Sequence, residues 1–277
     1  VSMKVSALAP WFGSNRSGGH AVGELLDGCR WVGVPFAGSM AEIRHLTASA
    51  IVVNDLHRDI INLARVVSTR GRDLTDELEK LPFHPDVLLE AQNFCRTQPH
   101  PGPTPDFDRA KWYFVSQWMG RSGNSGTDKE FTGKLPVRWS ASGGDSNTRY
   151  RSAVQSVAEW GSTLSKCNFT VLDAFEFLGR VKDEVGHGLY VDPPWPDAGD
   201  VYSHKFTERM HRDLESTLSG YTAVRVVVRL GYHPLVRELY DASRWQWNTY
   251  SSRTQANTDL AEVLLVLKND PSTGATV

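Results

Sequence analysis

"RWVGVPFAGSMAEIRHLTASAIVVNDLHRDIINLARVV", residues 30–67, decides the fold. Trp31 to Val34 is a short apolar run that stops at a proline, the signature of a buried strand ending in a turn. Ser39 and Glu42 stand at capping-box spacing, which predicts a helix opening at Ser39 with backbone N–H groups pointing into the turn. A β-branched run follows and ends at Asn54-Asp55, after which Ile60, Ile61, Ala64 and Val67 share one helical face. Strand, turn, helix, strand, acidic residue, helix is the opening of a βαβ fold with a parallel sheet.

Outward from that unit, "FTVLDAF" (169–175), "GLYVDPPW" (188–195), "AVRVVVRLGY" (223–232) and "EVLLVLK" (262–268) read as further strands, the third apolar enough to be buried on both faces. "TERMHRDLESTL" (207–218) puts Met210, Leu214 and Leu218 on one helical stripe. Between Gly71 and Lys166 the pattern changes. Helical periodicity survives in "DVLLEAQNF" and "SAVQSVAEWGSTL", but "QPHPGPTPD", "GRSGNSGTDKEFTGK" and "SASGGDSNT" are connector and turn sequence. The expected organisation is a core of residues 1–70 and 167–277 carrying an inserted subdomain, 71–166; no internal repeat is present.

With 277 residues, 40% of them apolar, the chain can bury a large core, and no apolar stretch reaches the roughly 20 residues of a membrane span. Val1 to Ala9 has no secretory pattern, so a soluble, intracellular protein is expected. Cys29, Cys95 and Cys167 form no Cys-x-x-Cys pair and read as reduced thiols. His-Glu-x-x-His, Gly-x-Ser-x-Gly and Gly-Lys-Ser/Thr motifs are missing, which leaves metalloprotease, α/β-hydrolase and P-loop chemistry without support. The net charge of −2 divides unevenly: residues 109–166 carry nine basic and four acidic side chains, hence +5, and the remainder −7. Trp112, Tyr113, Phe114, Trp118, Phe131, Trp139, Tyr150 and Trp160 lie in the same window. That mixture suits either a nucleic-acid surface or an ordinary core with a solvated shell.

Three features stand at strand C-terminal ends, where open α/β sheets bind ligands: Phe36-Ala37-Gly38, Asp55, and Asp192-Pro193-Pro194-Trp195. Gly38 permits close backbone approach, or simply makes a turn. Asp55 is placed to accept hydrogen bonds from a ribose, or to cap a helix. The two prolines after Asp192 cannot donate to a sheet ladder and leave carbonyls free beside a carboxylate.

In this order the motifs resemble the Dam-like DNA adenine methyltransferases over most of the chain. "VPFAGSMAEI" is similar to that family's cofactor turn, "VVNDLHRDIINL" to its ribose motif and "LYVDPPW" to its catalytic tetrad. "RAKWYFVSQWMGRSGNSG" and "FTGKLPVRW" look like a diverged form of the stretch that precedes its asparagine-rich DNA-contacting loop. "VYSHKFTERMHRDLESTL" resembles the segment after the tetrad. The resemblance implies a Rossmann-like seven-stranded, mostly parallel sheet with helices on both faces and a mainly helical target-recognition insertion. It implies S-adenosylmethionine as cofactor, double-stranded DNA as partner, and base flipping in a restriction–modification setting. The setting would be the cytoplasm of a prokaryotic or phage-infected cell, with a monomer or weak dimer and no membrane or metal.

Residue by residue, it assigns catalysis to Asp192, Pro193, Pro194 and Trp195. It assigns cofactor binding to Trp11, Phe12, Gly13, Arg16, Pro35, Phe36, Gly38, Ser39, Asp55, Asp173 and Phe175. Arg121, Asn124, Lys129, Arg138, Arg149 and Arg151 are its candidate DNA contacts, each also suited to a solvated surface. Phe36, Trp11 and Phe12 fit core packing equally well, and Asp173 fits a helix cap. Three departures stand out: Met40 where the family has a second glycine, Gly13-Ser14-Asn15-Arg16 where it has Gly-Gly-Lys, and Trp195 where it has tyrosine.

The tetrad chemistry stands on its own. An exocyclic amine is a poor nucleophile, and accepting its hydrogens at the Asp192 carboxylate and the Pro193 carbonyl shifts electron density onto nitrogen. Trp195 would stack on an extruded base, a contact worth about 1–3 kcal/mol against the few kcal/mol of unstacking. Adenine N6 is the expected target. Cytosine N4 presents the same chemistry, and a DNA-binding regulator without turnover is the reading from another class.

Overall fold

A computed structural model of the chain describes residues 5–13, 18–120, 125–140, 144–196, 202–253 and 259–268. In chain order the elements are α1 (Gly19–Leu25), β1 (Trp31–Val34), β2 (Ala50–Asn54), α2 (Arg58–Glu79), α3 (Pro85–Thr97), α4 (Phe107–Met119), α5 (Ser146–Leu164) and β3 (Cys167–Thr170). There follow α6 (Ala174–Arg180), β4 (His187–Val191), α7 (Glu208–Ser219), β5 (Arg225–Gly231), α8 (Pro234–Leu239), β6 (Trp245–Arg253) and β7 (Asp259–Leu267).

The strands form one seven-stranded sheet in the order β3-β2-β1-β4-β5-β7-β6. β1 pairs in parallel with β2 and with β4, and β4 with β5, whereas β7 runs antiparallel between β5 and β6. The protein is therefore α/β with a mixed, mostly parallel, Rossmann-like sheet. It departs from the plain doubly wound order because β6 and β7 form a hairpin whose second strand inserts beside β5. Among the described residues no helix is long and apolar enough to cross a membrane.

The chain divides into two compact units. One holds the sheet, with residues 17–37, 45–56 and 168–277; the other holds residues 1–16, 38–44 and 57–167. Sequence reading attaches the whole of 1–70 to the core, whereas here the change of unit falls at 56/57, and α2 belongs with the helices that follow it. Near the expected 70/71 boundary α2 kinks instead, at Arg70 (φ −134°, ψ 30°).

In the sheet unit, alternation along the strands sorts the side chains between faces. Leu189 and Val191, Val226, Val228 and Leu230, and Val263, Leu265 and Leu267 enter one apolar core with Leu214 and Leu218 of α7, Phe177 of α6 and Val236 of α8. Tyr190, Arg229 and Glu262 have the other parity. In the helical unit, α2 packs on α4 and α5, and α3 on α4. Five of the eight aromatics of the basic window, Tyr113, Phe114, Trp118, Tyr150 and Trp160, are buried there, so aromatic density in that window is mainly core packing.

The helix expected from Ser39 does not form as an α-helix. Gly38 (φ 45°) and Met40 (φ 59°) both adopt left-handed backbone, the Ser39 hydroxyl accepts from the Ala41 amide at 3.4 Å, and only a 3-10 turn, Ile43–His45, follows. Met40 thus holds a left-handed backbone that glycine adopts most easily. β6 is absent from the sequence reading. It is a sheet-edge strand in which Trp245 and Trp247 alternate with Gln246 and Asn248.

Candidate active site

Strand order reverses between β1 and β4: from β1 the sheet grows through β2 to β3 on one side and from β4 through β5 on the other. The crevice outside the carboxyl ends of those two strands is where open α/β sheets bind ligands. Pro35 and Phe36 leave β1 there, Asp192 and Pro193 leave β4, and Asp55 follows β2.

Asn54 organises that edge. It is fully buried and spends all four of its hydrogen-bonding valences. Its Nδ2 donates to the carbonyls of Pro35 and Leu172, each at 3.0 Å, and its Oδ1 accepts from the Thr170 hydroxyl and the Leu172 amide, each at 2.8 Å. Its own carbonyl accepts from the Ala37 amide at 3.0 Å. One side chain therefore ties the ends of β1, β2 and β3 and sets the backbone from which Asp55 projects. Asp173, beyond β3, accepts from the amides of Phe175 (2.9 Å) and Glu176 (3.4 Å) and so caps α6.

Phe36 and Phe175 are brought together around a third ring. Phe206 lies edge-on to Phe36 with ring centroids 5.7 Å apart and parallel to Phe175 at 6.4 Å. It also meets His211 of α7 edge-on at 4.7 Å. His211 is buried with no partner for Nε2 among the described residues; burial first, then the neighbouring His233, depresses its pKa to about 4.

The Asp192 carboxylate is held from several elements. Its Oδ2 accepts from Nη1 of Arg229 on β5 at 2.9 Å and from the hydroxyl of Tyr190 on β4 at 3.2 Å. Its Oδ1 accepts one long bond, from the Trp195 indole at 3.4 Å. Arg229 is 3% exposed and forks onto Glu262 of β7 through Nε and Nη2, both at 2.9 Å. Strand parity explains the assembly: residues 190 and 192, 229 and 262 point to the same side, and Glu262 pairs opposite Gly231, diagonal to Arg229.

Burial pushes the Asp192 carboxyl above its ordinary range, the Glu262 charge adds to that, and Arg229 pulls it back. Tyr202 lies in the same field: burial, then the charges of Asp192 and Asp55, oppose ionisation of its phenol, with Arg229 acting the other way. The Trp195 ring sits over Gly231, where a Cβ would fall 2.7 Å from its Cε3, and the Arg229 guanidinium lies 4.9 Å from the ring centroid. Glycine at 231 is what leaves room for an indole.

The helical unit holds the other candidates. Trp11 is buried, edge-on to His57 at 5.2 Å, with its ring against Gly38 and Gly126, where added Cβ atoms would lie 3.0 and 2.6 Å away. Phe12 is half-buried, Gly13 exposed with φ 72°, and the Ser39 carbonyl accepts from the Leu8 amide at 3.0 Å. His57 caps α2 by accepting the Ile60 amide at Nδ1, so Nε2 carries the hydrogen donated to Glu130 at 2.8 Å. Glu130 also accepts from Gln117 at 3.1 Å, and the single Ser125 hydroxyl hydrogen is shared between Gln117 Oε1 and the Pro10 carbonyl.

Of the candidate DNA contacts, Arg151 donates to the carbonyls of Glu79 and Leu81 at the end of α2, Arg149 lies 5.5 Å from the Trp118 ring centroid, and Arg138 donates to the Ser140 carbonyl. The side chain of Lys129 is at the surface. Arg16, Arg121 and Asn124 lie outside the described residues. Arg109, one of the nine basic residues of the window, is fully buried and paired with Asp59.

The thiols of Cys95 and Cys167 are pushed up to about 12 and about 11 by burial, which suppresses thiolate chemistry. Among the described residues no group of three or more His, Cys, Asp or Glu side chains could hold a metal ion. Compared with known proteins, the chain matches no family model and no curated protein.

Asn54, Tyr190, Phe206, Arg229 and Glu262 are missing from the sequence-based site. The signal for the last two was present: an arginine inside "AVRVVVRLGY" and a glutamate opening "EVLLVLK" place charges in apolar strands, and buried charges are paired.

Proposed function

We propose that the protein is an S-adenosylmethionine-dependent DNA methyltransferase acting on the 6-amino group of adenine in double-stranded DNA. The observation that carries this reading is the Asp192 carboxylate at the switch-point end of β4, anchored through Oδ2 and offering Oδ1, with the Pro193 carbonyl next in the chain and the Trp195 ring beside it. That set can accept two hydrogens from a planar amine and stack the base that carries it.

The residues at the neighbouring strand ends fit the cofactor chemically. Asp55 after β2 supplies a carboxylate for ribose hydroxyls, and Phe36 and Phe175 supply apolar rings for its adenine. When bound, S-adenosylmethionine supplies an electrophilic methyl group. The chain's own work is to orient the amine, hold electron density on its nitrogen and take up its positive charge as it develops. Asp192 must be ionised to do so, and its raised pKa makes the rate fall on acidification at a higher pH than an ordinary carboxylate would.

The test is incubation of the full chain with methyl-labelled cofactor and double-stranded DNA, followed by nucleoside analysis. Label in N6-methyladenine is expected. Label confined to N4-methylcytosine moves the reading to the cytosine rival on the same fold. DNA retention without calorimetric affinity for S-adenosylhomocysteine replaces it with a DNA-binding regulator; affinity that disappears in Asp55→Ala supports the enzyme.

A further inference from the structure

We propose that Arg229, clamped by Glu262, is the positioning residue that couples the two halves of the tetrad, fixing Asp192 so that Oδ1 faces the target amine and seating Trp195 as the base-stacking wall. The inference rests on the methyltransferase reading for what the site does, and on geometry for how it is built.

A guanidinium has five N–H donors in a rigid plane. Here Nε and Nη2 are committed to Glu262, each at 2.9 Å, which fixes the plane of the group. Nη1, at the remaining corner, takes Oδ2 of Asp192 at 2.9 Å. With Tyr190 on the same oxygen at 3.2 Å, Oδ2 is held, and the oxygen with acceptor capacity left for an incoming donor is Oδ1, which accepts one long bond, from the Trp195 indole at 3.4 Å. The same guanidinium lies 4.9 Å from the Trp195 ring centroid, and Gly231 removes the side chain that would lift the indole away. Rotating Arg229 therefore moves acceptor and stacking wall together. A lysine keeps the charge but has neither the fork that locks onto Glu262 nor the flat face.

Glu262 does more than hold the arginine. Its charge acts against that of Asp192, so the two partners of Asp192 pull its ionisation in opposite directions. Tyr190 donates to it at 3.2 Å, and the Tyr202 phenol also feels its charge.

The test needs no turnover. With the full chain labelled at the aspartate carboxyl carbons, the Asp192 resonance is assigned by its loss in Asp192→Asn and its titration followed by NMR. Glu262→Gln is expected to lower the Asp192 midpoint and Arg229→Met to raise it. Shifts of the same sign, or none, overturn the proposal, because a merely structural pair would move both variants alike through loosened packing. Should Arg229→Met fail to fold, Arg229→Lys with Glu262→Gln carries the test.

In methyl transfer, Arg229→Lys is expected to lower kcat by about 10²-fold, the penalty of misplacing a reacting group by an ångström, with KM for DNA unchanged. A loss confined to KM overturns the positioning role. Absence of methyl transfer in the unaltered chain overturns the proposed function instead, and leaves the two opposed titration shifts to be read by themselves.

Discussion

Arg109 in the helical unit and Arg229 in the sheet unit are both buried among carboxylates, yet the two clusters are differently finished. Arg109 spends all five donors: Nε and Nη2 on Asp59 at 2.6 and 2.8 Å, Nη2 also on the Cys95 carbonyl, and Nη1 on the carbonyls of Gln98 and Pro99. Asp59 is 1% exposed, so the pair is a closed staple tying the starts of α2 and α4 to the end of α3. Arg229 instead divides itself between two carboxylates, and one of them, Asp192, is 18% exposed with an oxygen that accepts only a long indole bond. A buried ion pair alone is thus no sign of a site. The sign is acceptor capacity held in place and left over.

The largest effect separating the two clusters should come from Asp192→Ala, which is expected to cut methyl transfer by at least about 10³-fold, roughly 4 kcal/mol of transition-state stabilisation, while S-adenosylhomocysteine still binds. Activity within tenfold of the unaltered chain would remove Asp192 from the mechanism. Asp59→Ala should show the opposite profile. It strands a fully buried guanidinium and is expected to cost about 3–5 kcal/mol of stability by urea denaturation. Replacing both partners, Asp59→Leu with Arg109→Met, should recover most of that loss, and failure to recover would mean that the four-way carbonyl and carboxylate satisfaction of Arg109 does more than neutralise a charge.

His211 shows what burial does without a carboxylate partner. Its pKa of about 4 lies below the ordinary value of 6.5, so the folded state keeps it neutral while the unfolded chain takes up a proton. The stabilisation is complete above about pH 6.5 and is lost as pH falls toward 4, amounting to ~3 kcal/mol at most. Urea midpoints for the unaltered chain should fall faster over that interval than those for His211→Phe. Parallel curves would show that His211 finds a proton acceptor in solution.

The legible parts of this fold are those where burial writes a continuous apolar run. β1, β2, β4 and β5 form the parallel part of the sheet and read directly, whereas β6, at the edge, alternates tryptophan with polar residues and carries no such run. The missing helix at Ser39 has a different origin: capping-box spacing cannot reveal that Met40 takes left-handed backbone. At the site, Asp192 and Asp55 were legible because each follows a strand. Asn54 stood in the quoted motif, but its role depends on Thr170 and Leu172, more than a hundred residues away, and no local pattern carries that information. Arg229 and Glu262 are legible as charges in apolar strands, but their link to Asp192 depends on β4, β5 and β7 lying side by side, which no local pattern shows.

The smallest expected effect tests how the aromatics of the basic window divide between core and surface. Trp160, 2% exposed on α5, is buried in the helical unit, and Trp160→Ala should cost about 3–5 kcal/mol. Trp139 is 91% exposed in the segment between Lys134 and Ser140, which forms neither helix nor strand, beside Arg138. Exposed side chains of this kind contribute within about 0.5 kcal/mol to stability, so Trp139→Ala should leave the urea midpoint where it is. A loss above ~1 kcal/mol would show that this indole packs on the protein in solution. An unchanged midpoint with weaker retention on double-stranded DNA would make Trp139 the aromatic of the window whose face is turned to a partner, and would separate the charge asymmetry of residues 109–166, which Arg109 overstates, from the contacts that use it.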